Sequence, residues 1–172
     1  MVNCLHMQYF TLVNDLPART AEADAVAALE LMTRALVGLT LQSLQALDGE
    51  VSVPQFRLLL VLSGLGRVPS SRIAAELGMS PGSVTRLADR LEAAGLLTRG
   101  ADPRSRSIVT LEVTPAGIDL VARVVERRHV LLAAVLDRMD PGEREEVGRL
   151  ARRVTALAGD AAALSVTGPL PL

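Results

Sequence analysis

The sequence has no lysine and no tryptophan, and only one cysteine, two histidines, one tyrosine and two phenylalanines. Each shortage excludes something. A lone thiol, Cys4, can build neither a disulfide framework within the chain nor a multi-thiolate metal site. His6 and His129 leave little for metal ligation, and no cofactor is called for. With aromatics at 2%, the chain lacks the stacking platforms that hold single-stranded nucleic acid. No run of about 18 uncharged apolar residues occurs, so no membrane span is expected. The opening residues lack a basic segment followed by a long apolar run, so no signal peptide is expected and the chain reads as cytoplasmic. A small enzyme would need a nucleophile beside a base, paired carboxylates in a cleft, or a phosphate-cradling glycine loop. Gly64-Leu65-Gly66 is too short for the last, and neither histidine has an evident catalytic partner.

What remains is aliphatic and arginine-rich. Hydrophobic residues make up 49% of 172 residues, nearly all Ala, Leu and Val, which points to packed helices and one good core. All 18 basic residues are arginine. Two readings stay open: a coding bias, or a use for the guanidinium fork, which suits phosphates and guanine edges. The net charge of −1 leaves room only for a local basic face.

Residues 1–19 read as a flexible leader. Thr20 can cap a helix over 21–47, with Glu22 and Asp24 in its first turn and Asp48-Gly49 as its stop. A deeply buried helix follows Pro54, carrying Phe56, Leu58, Leu59, Leu60, Val61 and Leu62. Residues 70–77 form a short helix capped by Ser70 or Ser71, Gly78-Met79-Ser80 makes a turn, and Ser80 with Pro81 starts another helix to about Ala94. Leu96–Arg99 and Ser107–Val113 read as a β-hairpin, the second strand alternating Val109, Leu111 and Val113 against Ile108, Thr110 and Glu112. Gly100–Ser105 supplies its turn. A long helix runs from Thr114-Pro115 to about Met139, Asp140–Glu143 restarts the chain into a last helix to about Ala158, and 159–172 reads as a disordered tail. The fold class is mainly α with a small β-wing. It divides into an N-terminal dimerisation helix (20–50), a winged helix-turn-helix lobe (51–113) and C-terminal dimerisation helices (114–158). The Leu/Ala stripes of 21–47 and 115–158 exceed what a monomer could cover, which argues for an obligate homodimer.

The helix after Ser80 carries the function. Val84, Leu87, Ala88, Leu91 and Ala94 fall on one stripe, while Gly82, Thr85, Arg86, Asp89 and Arg90 lie opposite. Arg86, in the first two turns, stands where a helix in the major groove presents side chains to base edges, and Ser80 and Ser83 can hold a phosphate at the N-terminus. Arg104 sits at the hairpin tip between Arg99 and Arg106, suited to a narrow minor groove. Asp89 is expected to brace the wing by pairing with Arg104 or Arg106. Ser80, Gly82, Ser83, Thr85, Arg86 and Arg90 are thus the expected DNA contacts of the helix, and Arg99, Arg104 and Arg106 those of the wing. Against them stand blander readings, Arg86 and Arg90 as a solvated helix face and Arg104 as a polar turn residue. For Arg72 and Arg99, phosphate contact and plain surface both stay open. His129 reads as an exposed or interface histidine.

The segment from about Ile73 to Thr114 resembles the MarR family of winged helix-turn-helix transcription regulators. Ser80-Pro81-Gly82-Ser83-Val84-Thr85-Arg86-Leu87 is similar to the family's recognition-helix start, and Asp102-Pro103-Arg104-Ser105-Arg106 to its wing. Leu111-Glu112-Val113-Thr114-Pro115-Ala116-Gly117 is similar to its exit into the long helix. The resemblance implies a homodimer whose N- and C-terminal helices interlock and whose recognition helices enter successive major grooves of a pseudo-palindrome in double-stranded DNA. It implies a repressor released by a small-molecule effector of unknown identity. One branch of the family senses peroxide through an N-terminal cysteine, which Cys4 with only Tyr9 nearby fits poorly. A winged-helix interaction scaffold without DNA binding is the alternative.

Overall fold

The computed structural model describes residues 21–103 and 105–158, Arg106 by its backbone alone. Thr20, Cys4, Tyr9 and the expected leader and tail lie outside the described residues. The elements are α1 (Ala21–Ser43), a 3-10 turn (Leu44–Leu47), α2 (Val53–Leu65), β1 (Val68–Pro69), α3 (Ser70–Leu77), α4 (Pro81–Ala93), β2 (Leu97–Asp102), β3 (Ser105–Val113), α5 (Pro115–Leu136) and α6 (Pro141–Ala158).

The chain divides into two units, one reaching to Gln42 and the other starting at Ser43. In the first, α1 carries Glu22 and Asp24 in its opening turn, where acids oppose the positive end of the helix dipole. Val26, Leu31, Val37 and Leu41 along it are more than half exposed.

The second unit holds the core. α2 is apolar nearly all round and correspondingly buried, with Phe56, Leu58, Leu59, Val61 and Leu62 inside. Its start is fixed by Gln55, whose Oε1 accepts from the Ser52 backbone N–H (2.8 Å) and the Ser52 hydroxyl (2.7 Å). Around it pack α3, α4, α5 and β3. α5 rests on the 3-10 turn and buries Leu120, Val121, Val124 and Val125. The restart at α6 is a reciprocal cap: Glu143 Oε2 accepts from the Asp140 N–H and Asp140 Oδ1 from the Glu143 N–H, both at 2.9 Å. No residue of α6 is buried.

Several boundaries differ from the sequence reading. The first helix tightens to 3-10 geometry at Leu44, and α5 ends at Leu136, three residues early, in a turn over Asp137–Met139. Neither Ser70 nor Ser71 caps α3; the cap position is Pro69, without a side-chain hydrogen bond. Pro69 belongs to β1, a two-residue edge strand too short to leave a periodic signal, which completes an antiparallel sheet of order β1-β3-β2. That third strand also overrides the alternation in β3. Thr110 lies between Pro69 and Gly100 and is buried, whereas Val109, beyond the reach of β1, is 45% exposed.

Candidate nucleic-acid interface

α3, the turn and α4 form the helix-turn-helix. Gly78 closes α3 in the left-handed region (φ 62°), which lets the Met79 N–H reach back to the Ala74 carbonyl (2.9 Å). The next residue can then leave in extended geometry. Ser80 (φ −67°, ψ 147°) caps α4, its Oγ accepting from the Ser83 N–H at 3.2 Å, and Pro81 occupies the first helical position, where a missing N–H costs nothing.

Val84, Ala88 and Leu91 of α4 are almost fully buried, and Leu87 is half-buried. The stripe is held against α2, α3 and β2, so its opposite face is forced outward. Gly82, Thr85, Arg86, Asp89 and Arg90 are exposed there, with Ser80 at the N-terminus and Ser83 half-buried beside it. Arg86 Nη2 donates to Ser83 Oγ (3.2 Å), and Ser83 Oγ lies 2.9 Å from Ser80 Oγ. The chain of contacts draws the Arg86 guanidinium toward the positive end of the helix. Thr85 donates its hydroxyl hydrogen to the Pro81 carbonyl (3.0 Å), leaving its methyl group and oxygen lone pairs for any partner outside. Met79, Ser83, Arg86, Leu87 and Arg90 line a shallow cleft of about 220 Å³ on this face.

The wing is β2 and β3, paired from Leu97↔Val113 out to Asp102↔Ser105. It is longer and its connection tighter than the six-residue turn expected. Arg104 lies outside the described residues, as does the side chain of Arg106. Asp89 is ion-paired with Arg99 (Nη1–Oδ1 2.6 Å). Arg99 also meets Glu92 Oε2 at 3.5 Å and donates from Nη2 to the Thr85 carbonyl at 3.1 Å. Arg72 is exposed on α3.

Two further links were not read from the sequence. Arg67 donates from Nε to Glu112 Oε2 (2.7 Å), tying the approach to β1 to the central strand. Thr114 joins three elements: its hydroxyl donates to the Gly95 carbonyl after α4 (2.7 Å) and accepts from the Gly117 N–H at the start of α5 (3.2 Å). The resemblance placed Thr114 and Gly117 in one motif, and the threonine-before-proline cap was the signal available. The partner across 19 residues was not.

Elsewhere, α5 borders a groove of about 910 Å³ whose walls include Ile118, Ala122, Val125 and Val130, with Arg123, Arg127 and His129 among its polar groups. Arg123 is paired with Glu50 at 2.7 Å. Among the described residues no helix is long and apolar enough to cross a membrane.

The sequence profile of the MarR family matches residues 50–106, from the approach to α2 through the wing tip. The chain is similar to RV1404 from Mycobacterium tuberculosis in its crystal structure. The two share 31% identity over 84% of this chain and 99% of that one, with a TM-score of 0.74. It is 28% identical over 109 residues to YhbI of Bacillus subtilis, an uncharacterized HTH-type transcriptional regulator, covering 63% of this chain and 71% of YhbI. The fold is shared with a mutant of S. aureus MepR bound to an oligodeoxyribonucleotide. There the identity is 19%, over 77% of this chain and 97% of that one, with a TM-score of 0.59.

Proposed function

This chain belongs to the MarR family of DNA-binding transcription regulators, and from that premise we propose that it is an effector-responsive repressor acting as a homodimer on pseudo-palindromic duplex DNA. The observation that carries the reading is the outer face of α4. Its inner stripe is sealed in the core, and the surface left outward presents Gly82, Thr85, Arg86 and Arg90 behind an N-terminus lined by Ser80 and Ser83. On this reading Arg86 and Thr85 meet base edges, while Ser80, Ser83 and Arg90 hold phosphates. Gly82 allows close approach of the helix backbone, Arg104 probes the minor groove, and Arg106 supports it from the wing. On this reading the protein works in the cytoplasm, where its duplex target lies.

Homodimerisation is supported by apolar surface that a lone chain leaves wet. Leu31 and Leu41 of α1 are 63% and 61% exposed, and Leu157 of α6 is 74% exposed. Two recognition helices about one duplex turn apart would then read half-sites related by the dimer's two-fold axis. The groove along α5, with apolar walls and both acids (Asp119, Glu126) and arginines (Arg123, Arg127) in its lining, would take a small, largely apolar effector. Such a molecule would act only if it bound one arrangement of the dimer more tightly than the other.

The test is a salt titration of binding to the intergenic DNA beside the gene and to random duplex fragments, with wild type and Arg86→Ala in parallel. Steeply salt-dependent retention, with sequence preference lost in Arg86→Ala, is the expected result. If no duplex is retained even at low salt, the interaction-scaffold reading replaces it.

A further inference from the structure

The recognition face carries two carboxylates, Asp89 and Glu92, as well as its arginines, and both are exposed. A free carboxylate beside a phosphate backbone repels it, so a helix built to approach DNA needs these charges masked. Arg99 stands over both. Its side chain is 27% exposed, against 55% for Asp89 and 43% for Glu92. Nη1 faces the two carboxylates at 2.6 and 3.5 Å, and Nη2 donates to the Thr85 carbonyl at 3.1 Å. All three acceptors lie on α4, whereas Arg99 lies on β2, so one guanidinium links the helix to the base of the wing. Both terminal nitrogens of the guanidinium therefore already face acceptors within the protein.

We propose that Arg99 is a positioning residue and makes no phosphate contact: it clamps the recognition helix to the wing and masks Asp89 and Glu92 from the duplex. This rests on the reading that α4 approaches DNA. It moves Arg99 out of the set of wing contacts and gives Asp89 the bracing role through a partner at the wing's base. The planar fork matters, because three acceptors at two nitrogens on one side chain is a geometry an ammonium group serves poorly.

The two roles separate in a double-mutant cycle. Wild type, Arg99→Met, Asp89→Asn/Glu92→Gln and the triple variant are titrated by fluorescence anisotropy against a duplex selected from a random pool. Salt slopes are measured for each. A clamp and mask has a purpose only while the carboxylates are present. Arg99→Met should therefore weaken binding about 10-fold or more in the wild-type background and less than about 3-fold in the Asn/Gln background. Equal losses in both backgrounds, with the salt slope falling by about one, would be the mark of a direct phosphate contact and would overturn the proposal. Should Arg99→Met alone fail to fold, the triple variant decides. Affinity within about threefold of Asp89→Asn/Glu92→Gln supports the clamp, and a larger loss overturns it. Wild type that binds no duplex from the pool at low salt removes the DNA reading itself, which is a different result from a failed cycle.

Discussion

Gly117 shows what a single hydrogen atom in place of a side chain can settle. A Cβ at this position would overlap the Leu96 carbonyl oxygen and lie 2.6 Å from Val113 Cγ1, so the start of α5 sits against the end of the recognition unit with no room between. Gly117→Ala should cost about 1–3 kcal/mol, as overpacking does, read as a lower denaturant midpoint at unchanged slope. An unchanged midpoint would mean that the junction yields easily. Arg86 is the other residue on which much turns. Replacing a base-contacting arginine by alanine removes about 1–3 kcal/mol of discrimination, so Arg86→Ala should lose roughly 10-fold or more for its best site while keeping most of its affinity for random DNA. A uniform loss over all sequences would instead identify Arg86 as a phosphate contact. Both residues were legible as members of motifs. Their reasons were not, because the crowding at Gly117 and the Ser83–Arg86 contact exist only once neighbours are placed.

At the scale of elements, α4 is the part most fully written in the sequence. Ser80 as cap, Pro81 in the first turn and the stripe through Val84, Ala88 and Leu91 were all readable, since helix ends and faces are set by local chemistry. This separability gives a prediction. Ser80→Asp keeps a capping oxygen and adds a charge favourable to the helix dipole, so thermal stability should stay close to wild type. DNA affinity at low salt should nevertheless fall several-fold, because the same charge repels phosphate. Ser80→Ala should do the reverse at the level of folding, costing about 1 kcal/mol. If Ser80→Asp binds DNA as tightly as wild type, phosphate does not approach this N-terminus. The wing was less legible. Its alternation suggested one buried face, but Thr110 is buried and Val109 exposed because β1 covers only part of β3. A two-residue strand carries no periodicity to detect.

For the molecule as a whole, the question is what the exposed aliphatic surfaces do. Val147, Leu150, Val154 and Leu157 line α6, which has no buried residue, and α1 carries its own exposed set. Leu150→Glu and, separately, Leu31→Glu should each shift the protein from dimer toward monomer in sedimentation at micromolar concentration. Loss of the dimer should also reduce the salt slope of DNA binding to about half, since only one lobe would neutralise phosphates. A monomeric wild type would remove the two-half-site reading.

Local chemistry along the chain sets the order of elements, the ends of α4, the apolar character of α2 and the identity of the helix that faces outward. Those follow from periodicity, caps and turn residues, which act over a few positions. Only packing in three dimensions gives Asp89 to Arg99, lets Thr114 bridge α4 to α5, and covers Thr110 while leaving Val109 open. Each of these joins residues from different elements, and the side chain that wins such a contact is the one the fold brings within reach, which no local pattern encodes.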